Sequence, residues 1–371
     1  MSTYPYPPAP ATYQPPKQQV QRERGDWSVS WHGVSTVARL ELTQRLRSTK
    51  WKVSLGVWFL VVGGICLLIS TSVNYENTGL SQPGPLMFSL NVMFILSMGL
   101  LVTPTLSSAA INGDRIAGTL AILQVTLLTP IEITLGKLLA GWVASLAFVV
   151  VSVPFILWSF LAGGVAVGAV FSTLVLLTLM LGVVSAVSLG FSALVTKPTG
   201  STVLAYLTVA ALTVGTLIVF ALTLFPMSGS ERYSIQQASE WDDKTGDVVA
   251  CEWQETEQSV VHTERTWWLL AMNPYVVVAD AAPGREFFSG GSPDPLAGIR
   301  DGVRSARAGA DEPYSTCPAS ISGVEEVDPS TAPVWPLGLA INLLIGAGAI
   351  VVTVRRLRIP QGKLTRGTRV A

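Results

Sequence analysis

From Leu138 to Thr196 this chain carries no Asp, Glu, His, Lys or Arg. A charge at the centre of a hydrocarbon core costs about 2.5 to 3.5 kcal/mol, and roughly 20 apolar residues are enough to cross one. So long a run is out of place in a water-soluble domain and exceeds a single crossing. Gly163 and Gly164 divide it into Leu138 to Leu161 and Val167 to Val195. Four more windows of the same kind are Val53 to Val73, Leu86 to Leu106, Ser201 to Phe225 and Val334 to Val354, the last closed by Arg355, Arg356 and Arg358. The fold class expected is an all-α polytopic membrane protein with six transmembrane helices. Strands of a membrane barrel would alternate with a period of two, and runs such as Trp58 to Leu68 do not. Thr266 to Ala281 could be a seventh crossing, but it is short and interrupted by Asn273 and Pro274, so an interfacial or re-entrant helix is expected there.

The composition points the same way. Charged residues are 13% and apolar residues 49%, unlike an ordinary soluble enzyme. The 24 Lys or Arg and 24 Asp or Glu balance, leaving no basic excess for nucleic acid. Their positions carry more information. With six crossings both termini share one side, and that side holds seventeen basic and five acidic residues against seven and nineteen on the other. By the positive-inside rule the basic side, with both termini, is expected to be cytoplasmic.

The segments then follow. Residues 1–26 are a Pro-rich tail without the apolar stretch of a signal peptide, expected to be disordered. Residues 27–52 interleave Trp31, Val34, Val37, Leu40, Leu42 and Leu46 with Arg39, Arg45 and Arg47, the pattern of a basic amphipathic helix on the inner leaflet. A solvated cytoplasmic helix is the alternative. Residues 53–225 contain the first five spans, with an inner loop over 107–137. Residues 226–333 form an irregular, acidic extracytoplasmic segment, 334–354 the sixth span, and 355–371 a basic tail. Cys251 and Cys317 both fall in the acidic segment, where a bridge would contribute on the order of 4 kcal/mol by loop-closure arithmetic. Two free thiols is the other reading.

The spans hold no Asp, Glu, His, Lys or Arg, which disfavours proton-coupled transport and intramembrane proteolysis. His32 and His262 fall on opposite sides and the cysteines lack zinc spacing, so no metal is expected. Gly136-Lys137 and Gly362-Lys363 lack the flanking residues of a phosphate-binding loop. The outer acids lack the spacing of a calcium loop. No cofactor is expected in this chain, and no catalytic residue.

What stands out is the inner stretch from Gly113 to Lys137. Gly113, Asp114 and Arg115 open it as a charged turn, a helical pattern runs from Thr119 to about Leu127, and Thr129, Pro130 and Glu132 read as the cap, first and third positions of a new helix. This stretch resembles the inner loop of the permease subunits of type-2 exporter ATP-binding cassette transporters, which commonly reads Gly-Glu-Arg-Glu-x-Gly-Thr-Leu, then Leu-rich residues, Thr-Pro-Leu-Ser and Gly-Lys. Gly113, Arg115, Gly118, Thr119, Leu120, Thr129, Pro130, Gly136 and Lys137 match, with Asp114 for the first Glu; Ile116 and Ala117 depart from it. The helix before the first span, the six spans and the outer Asn273-Pro274-Tyr275 also look like this family.

The resemblance implies a membrane-spanning permease paired with a second permease, driven by a separate cytoplasmic P-loop ATPase. It implies that Gly113 to Thr129 docks in a groove of that ATPase, oriented by Asp114 and Arg115, with Leu120, Ile122 and Leu123 supplying apolar contact. A bacterial plasma membrane is the expected location. A different class of function is a membrane-anchored sensor or structural protein whose acidic outer domain binds a ligand or envelope component.

Overall fold

The computed structural model describes residues 25–72, 84–120, 128–241, 248–282, 294–309 and 332–358. In chain order the helices are α1 (Trp31–Arg47), α2 (Thr49–Ser72), α3 (Gly84–Ser107), α4 (Asn112–Ala117), α5 (Pro130–Leu161), α6 (Val167–Leu194) and α7 (Pro198–Thr223). A hairpin follows, β1 (Ser228–Trp241) and β2 (Val248–Val261), then α8 (Trp268–Ala271), α9 (Pro274–Asp280), α10 (Pro295–Ala308) and α11 (Trp335–Leu357). Among the described residues six helices, α2, α3, α5, α6, α7 and α11, are long and apolar enough to cross a membrane. Each coincides with one of the six charge-free windows. The protein is mostly helical, and its length and hydropathy are those of a multi-pass membrane protein.

α3 and α6 form the centre of the bundle, with α5 against both and α11 and α7 on α6. Met87, Ile95, Leu96, Leu177, Met180 and Leu181 fill the middle. Hydroxyls and amides stand where charges would be too costly, and they pair across helices as buried polar groups must. Trp58 Nε1 donates to Ser152 Oγ at 2.8 Å, Asn91 Nδ2 to Ser159 Oγ at 3.0 Å, and Ser107 and Ser185 share a 2.8 Å bond. α2 and α7 leave much of their apolar surface outward, including Leu60, Leu68, Leu207 and Leu222.

Three differences from the sequence expectations have clear causes. First, the helix expected over 27–52 breaks at Ser48, whose extended backbone (ψ 124°) separates α1 from α2. Lys50 and Lys52 therefore belong to the first turns of the first long helix, exposed at its end. Second, α1 does not reserve its apolar residues for a lipid surface: Val34 and Val37 are buried on protein, while Trp31, Leu40 and Leu46 are exposed. Third, the 226–333 segment is not irregular throughout. β1 and β2 pair antiparallel from Ser228↔Val261 to Trp241↔Val248, with a bulge near Glu240. A lone two-stranded ribbon is marginal in water, and Cys251 in β2 is disulfide-bonded. Cys66 is free and buried; Cys317 lies outside the described residues. The proposed tail 1–26 also lies outside them except for Gly25 and Asp26, and Asp26 pairs with Arg358 at 2.9 Å.

The segment from Thr266 to Ala281 does not cross the bundle. It folds as a helix pair, α8 and α9, broken at Asn273, whose side chain caps α9 by accepting from Tyr275 N at 2.9 Å. Asn273 Nδ2 donates to Thr213 O at 2.8 Å and Thr216 Oγ1 at 3.1 Å. The first acceptor lies in a π-helical turn of α7, Ala211–Gly215, whose widened winding frees a carbonyl for it. The broken backbone is enclosed by protein, as such backbone must be beside apolar spans. Gly338 of α11 makes this possible, because a Cβ there would overlap the Ala271 carbonyl. Gly338→Ala is expected to force α8 and α11 apart at a cost of about 2 kcal/mol, read as a lowered unfolding midpoint in detergent; an unchanged midpoint would show that the contact relaxes freely.

Candidate functional site

α5 has 32 residues, about 48 Å at 1.5 Å per residue, so it outreaches a hydrocarbon core of roughly 30 Å. Its first two turns, Pro130 to Lys137, form a platform at the end of the bundle where α1, α4 and the last residues of α11 gather.

The platform starts with the capping box expected from Thr129, Pro130 and Glu132. Thr129 Oγ1 accepts from Glu132 N at 3.4 Å, and Glu132 Oε2 accepts from Thr129 N at 2.9 Å. Both groups also reach α1. Glu132 Oε1 accepts from Ser30 N at 2.8 Å, and Thr129 Oγ1 donates to Ser28 O at 2.8 Å. Glu132, almost wholly buried, thus closes the N-terminal ends of two helices at once. One turn on from Glu132, Gly136 lets α1 lie against α5, since a Cβ there would stand 2.6 Å from Val37 Cβ.

Lys137 is the buried centre of charge. Its side chain is 1% exposed, and Nζ contacts Glu41 Oε1 of α1 and Asp114 Oδ2 of α4, each at 2.5 Å. One turn from Glu41, Arg45 Nη2 donates to Leu106 O at 2.7 Å, answering a carbonyl at the C-terminal end of α3. Burial pushes the Arg45 guanidinium below its ordinary value, opposed by the nearby Glu41 carboxylate.

α4 is held from the other side by neutral groups. Ser192 Oγ of α6 accepts from Ile111 N at 3.0 Å and Asn112 N at 3.2 Å, and Asn112 Nδ2 donates to Ser201 Oγ of α7 at 2.8 Å. The helix stops at Gly118, which takes a left-handed conformation with φ 73°. Leu120 then turns inward against Ile111, Ile133, Leu189 and Leu357.

The residues expected to work together therefore divide into two sets. Asp114, Leu120, Thr129, Pro130, Glu132 and Lys137 face inward and hold α1, α4 and α5 together. Gly118 and Thr119 are exposed, Gly113 and Arg115 half-buried. Leu120, expected to offer apolar contact to a partner, is 1% exposed and belongs to the core; the large apolar residue exposed among the described residues of this stretch is Ile116, at 69%. Asp114, expected to point at a partner, is engaged by Lys137. Leu123, with Ile122, lies outside the described residues. Sequence reasoning missed Glu41, Arg45, Asn112 and Ser192. The only local sign of Glu41 and Asn112 is an acid or amide set among apolar or basic neighbours, Arg45 and Ser192 carry none, and the partners of all four stand far along the chain.

Among the described residues no cluster of His, Cys, Asp or Glu could hold a metal ion. No family model matches the chain, and no curated protein matches it.

Proposed function

We propose that this chain is the membrane-spanning permease of an ATP-driven exporter, with α4 and the residues after it as the element by which a separate P-loop ATPase moves the spans. The observation that supports this reading most is the two-sided anchoring of one short surface helix. α4 is tied through Asn112 to α6 and α7, and through Asp114 to α5 and α1, while Arg115 and Ile116 are left at its surface. A push on that helix reaches four others. The permease itself needs no catalytic residue, because the energy comes from closure of the partner.

On this reading the end bearing α1, α4 and the basic residues Arg355 and Arg356 is cytoplasmic, by the positive-inside rule, and the hairpin end extracytoplasmic. The outward apolar faces of α2 and α7 meet lipid or a second permease, in a bacterial plasma membrane. Arg115→Ala with Ile116→Asp, in correctly inserted protein, is expected to lower co-purification with its ATPase subunit at least about tenfold, the scale of losing one anchor residue at an interface. Unchanged co-purification would overturn the assignment.

A second reading has one observation in its favour: among the described residues the strands pair extensively only with each other, so the acidic hairpin projects as a separate element. A sensor or envelope-binding protein would lose its function on removal of Glu231 to Asp328 and keep it in the loop variant.

A further inference from the structure

The anchors of α4 differ in chemistry. Asn112 is completely buried and makes neutral hydrogen bonds that nothing in water can replace cheaply. Asp114, two residues on, is held by charge. Lys137 has two carboxylates around it where one would neutralise it. The two are not equivalent. Glu41 stands on a helix of 17 residues fixed to α5 by Val34 and Val37, and its side chain is 18% exposed. Asp114 stands on a helix of six residues, is 28% exposed, and is followed by the exposed Ile116 to Thr119. Removing Asp114 from the group leaves a neutral Lys137–Glu41 pair still buried; it does not strand the ammonium, which is the costly event.

We propose that Lys137 is a positioning residue at a release joint, in which Glu41 is the standing counter-charge and Asp114 the one given up when a cationic side chain of a docking partner claims it. Release breaks the charged tie of α4 to α1 and α5, while Asn112 keeps it on α6 and α7 and Ile111 and Leu120 keep their apolar contact with Ile133, so docking changes how firmly the loop drives α1 and α5. The partner's role rests on the coupling reading above. The joint is a property of this chain alone, and its asymmetry has a sign: without Glu41, Asp114 becomes the sole counter-charge and is held more tightly.

The test uses the full chain in lipid nanodiscs with no partner, comparing wild type, Asp114→Asn and Glu41→Gln by hydrogen exchange over residues 111–118 and 31–47. Asp114→Asn is expected to speed exchange in the first segment about tenfold, the scale of losing one charge-assisted hydrogen bond, with α1 unchanged. Glu41→Gln is expected to speed exchange in α1 and to leave that of the loop unchanged or slower. Loosening of the loop by both variants would overturn the proposal, as would a loop that Asp114→Asn does not loosen. Because no ATPase is present, failure here removes the joint without touching the coupling reading. Failure of the co-purification experiment leaves the joint standing as an internal lock.

Discussion

Lys137→Met is expected to destabilise the folded chain by about 3 kcal/mol, the lower end of what breaking a buried ion pair costs. The substitution keeps most of the stem that packs between α1 and α5 and removes only the ammonium. Glu41 and Asp114 are then left facing the same cavity with no cation between them. Their exposures of 18% and 28% allow partial rehydration, which is why the lower end applies. Chemical unfolding in detergent should show the loss for Met and a much smaller one for Lys137→Arg, which keeps the charge. Equal stability of wild type and Lys137→Met would mean that the carboxylates neutralise themselves by taking up protons, and that the three charges do not hold the helices together.

Span positions could be read from the sequence because lipid exposure is a property of each residue by itself. Val53 to Val73 and Val334 to Val354 declare themselves without knowledge of any neighbour. The start of α5 was legible too, since Thr129, Pro130 and Glu132 form a local signature. Pairings across the chain were not. Lys137 is 96 residues from Glu41, so nothing near it in the chain points to its partner. Leu120 and Ile116 are both apolar in one short stretch, and only the left-handed turn at Gly118 decides which points inward. The hairpin escaped because β1 reads Ser-Gly-Ser-Glu-Arg-Tyr-Ser-Ile-Gln-Gln, with almost no apolar alternation. α10 was legible and overlooked: Asp294 followed by Pro295 is a helix start, and Asp294 does cap Leu296 N and Ala297 N at 3.1 and 3.3 Å.

Asp280→Ala is expected to have the largest effect, about 4 kcal/mol, because one buried carboxylate answers three groups. Val334, the residue before α11, supplies no capping side chain. Instead Asp280 Oδ2, at the end of α9, accepts from Val334 N at 2.6 Å and Trp335 N at 2.7 Å. Oδ1 accepts from Arg304 Nε of α10 at 2.6 Å. The acid is therefore an N-cap delivered from another helix, opposite the positive end of the α11 dipole. Alanine leaves two backbone donors without their acceptor and takes the carboxylate from Arg304, whose guanidinium keeps the Asp280 carbonyl at 3.3 Å. Asparagine keeps one acceptor and the size of the side chain, so Asp280→Asn should lose roughly half as much. Thermal unfolding of both variants in detergent checks the order, and equal losses would mean that shape, with no contribution from charge, joins these helices. The effect should also spread. α10 is tied to α3 through the hydrogen bond of Ser89 to Asp294 and near its other end by Arg307, which donates to Ala332 O and Pro333 O at 3.2 Å, so freeing Arg304 loosens its middle from α9 first. Faster hydrogen exchange in α10 with unchanged exchange in α6 would place the break at this cap, whereas uniform loosening would mean that Asp280 supports the whole bundle.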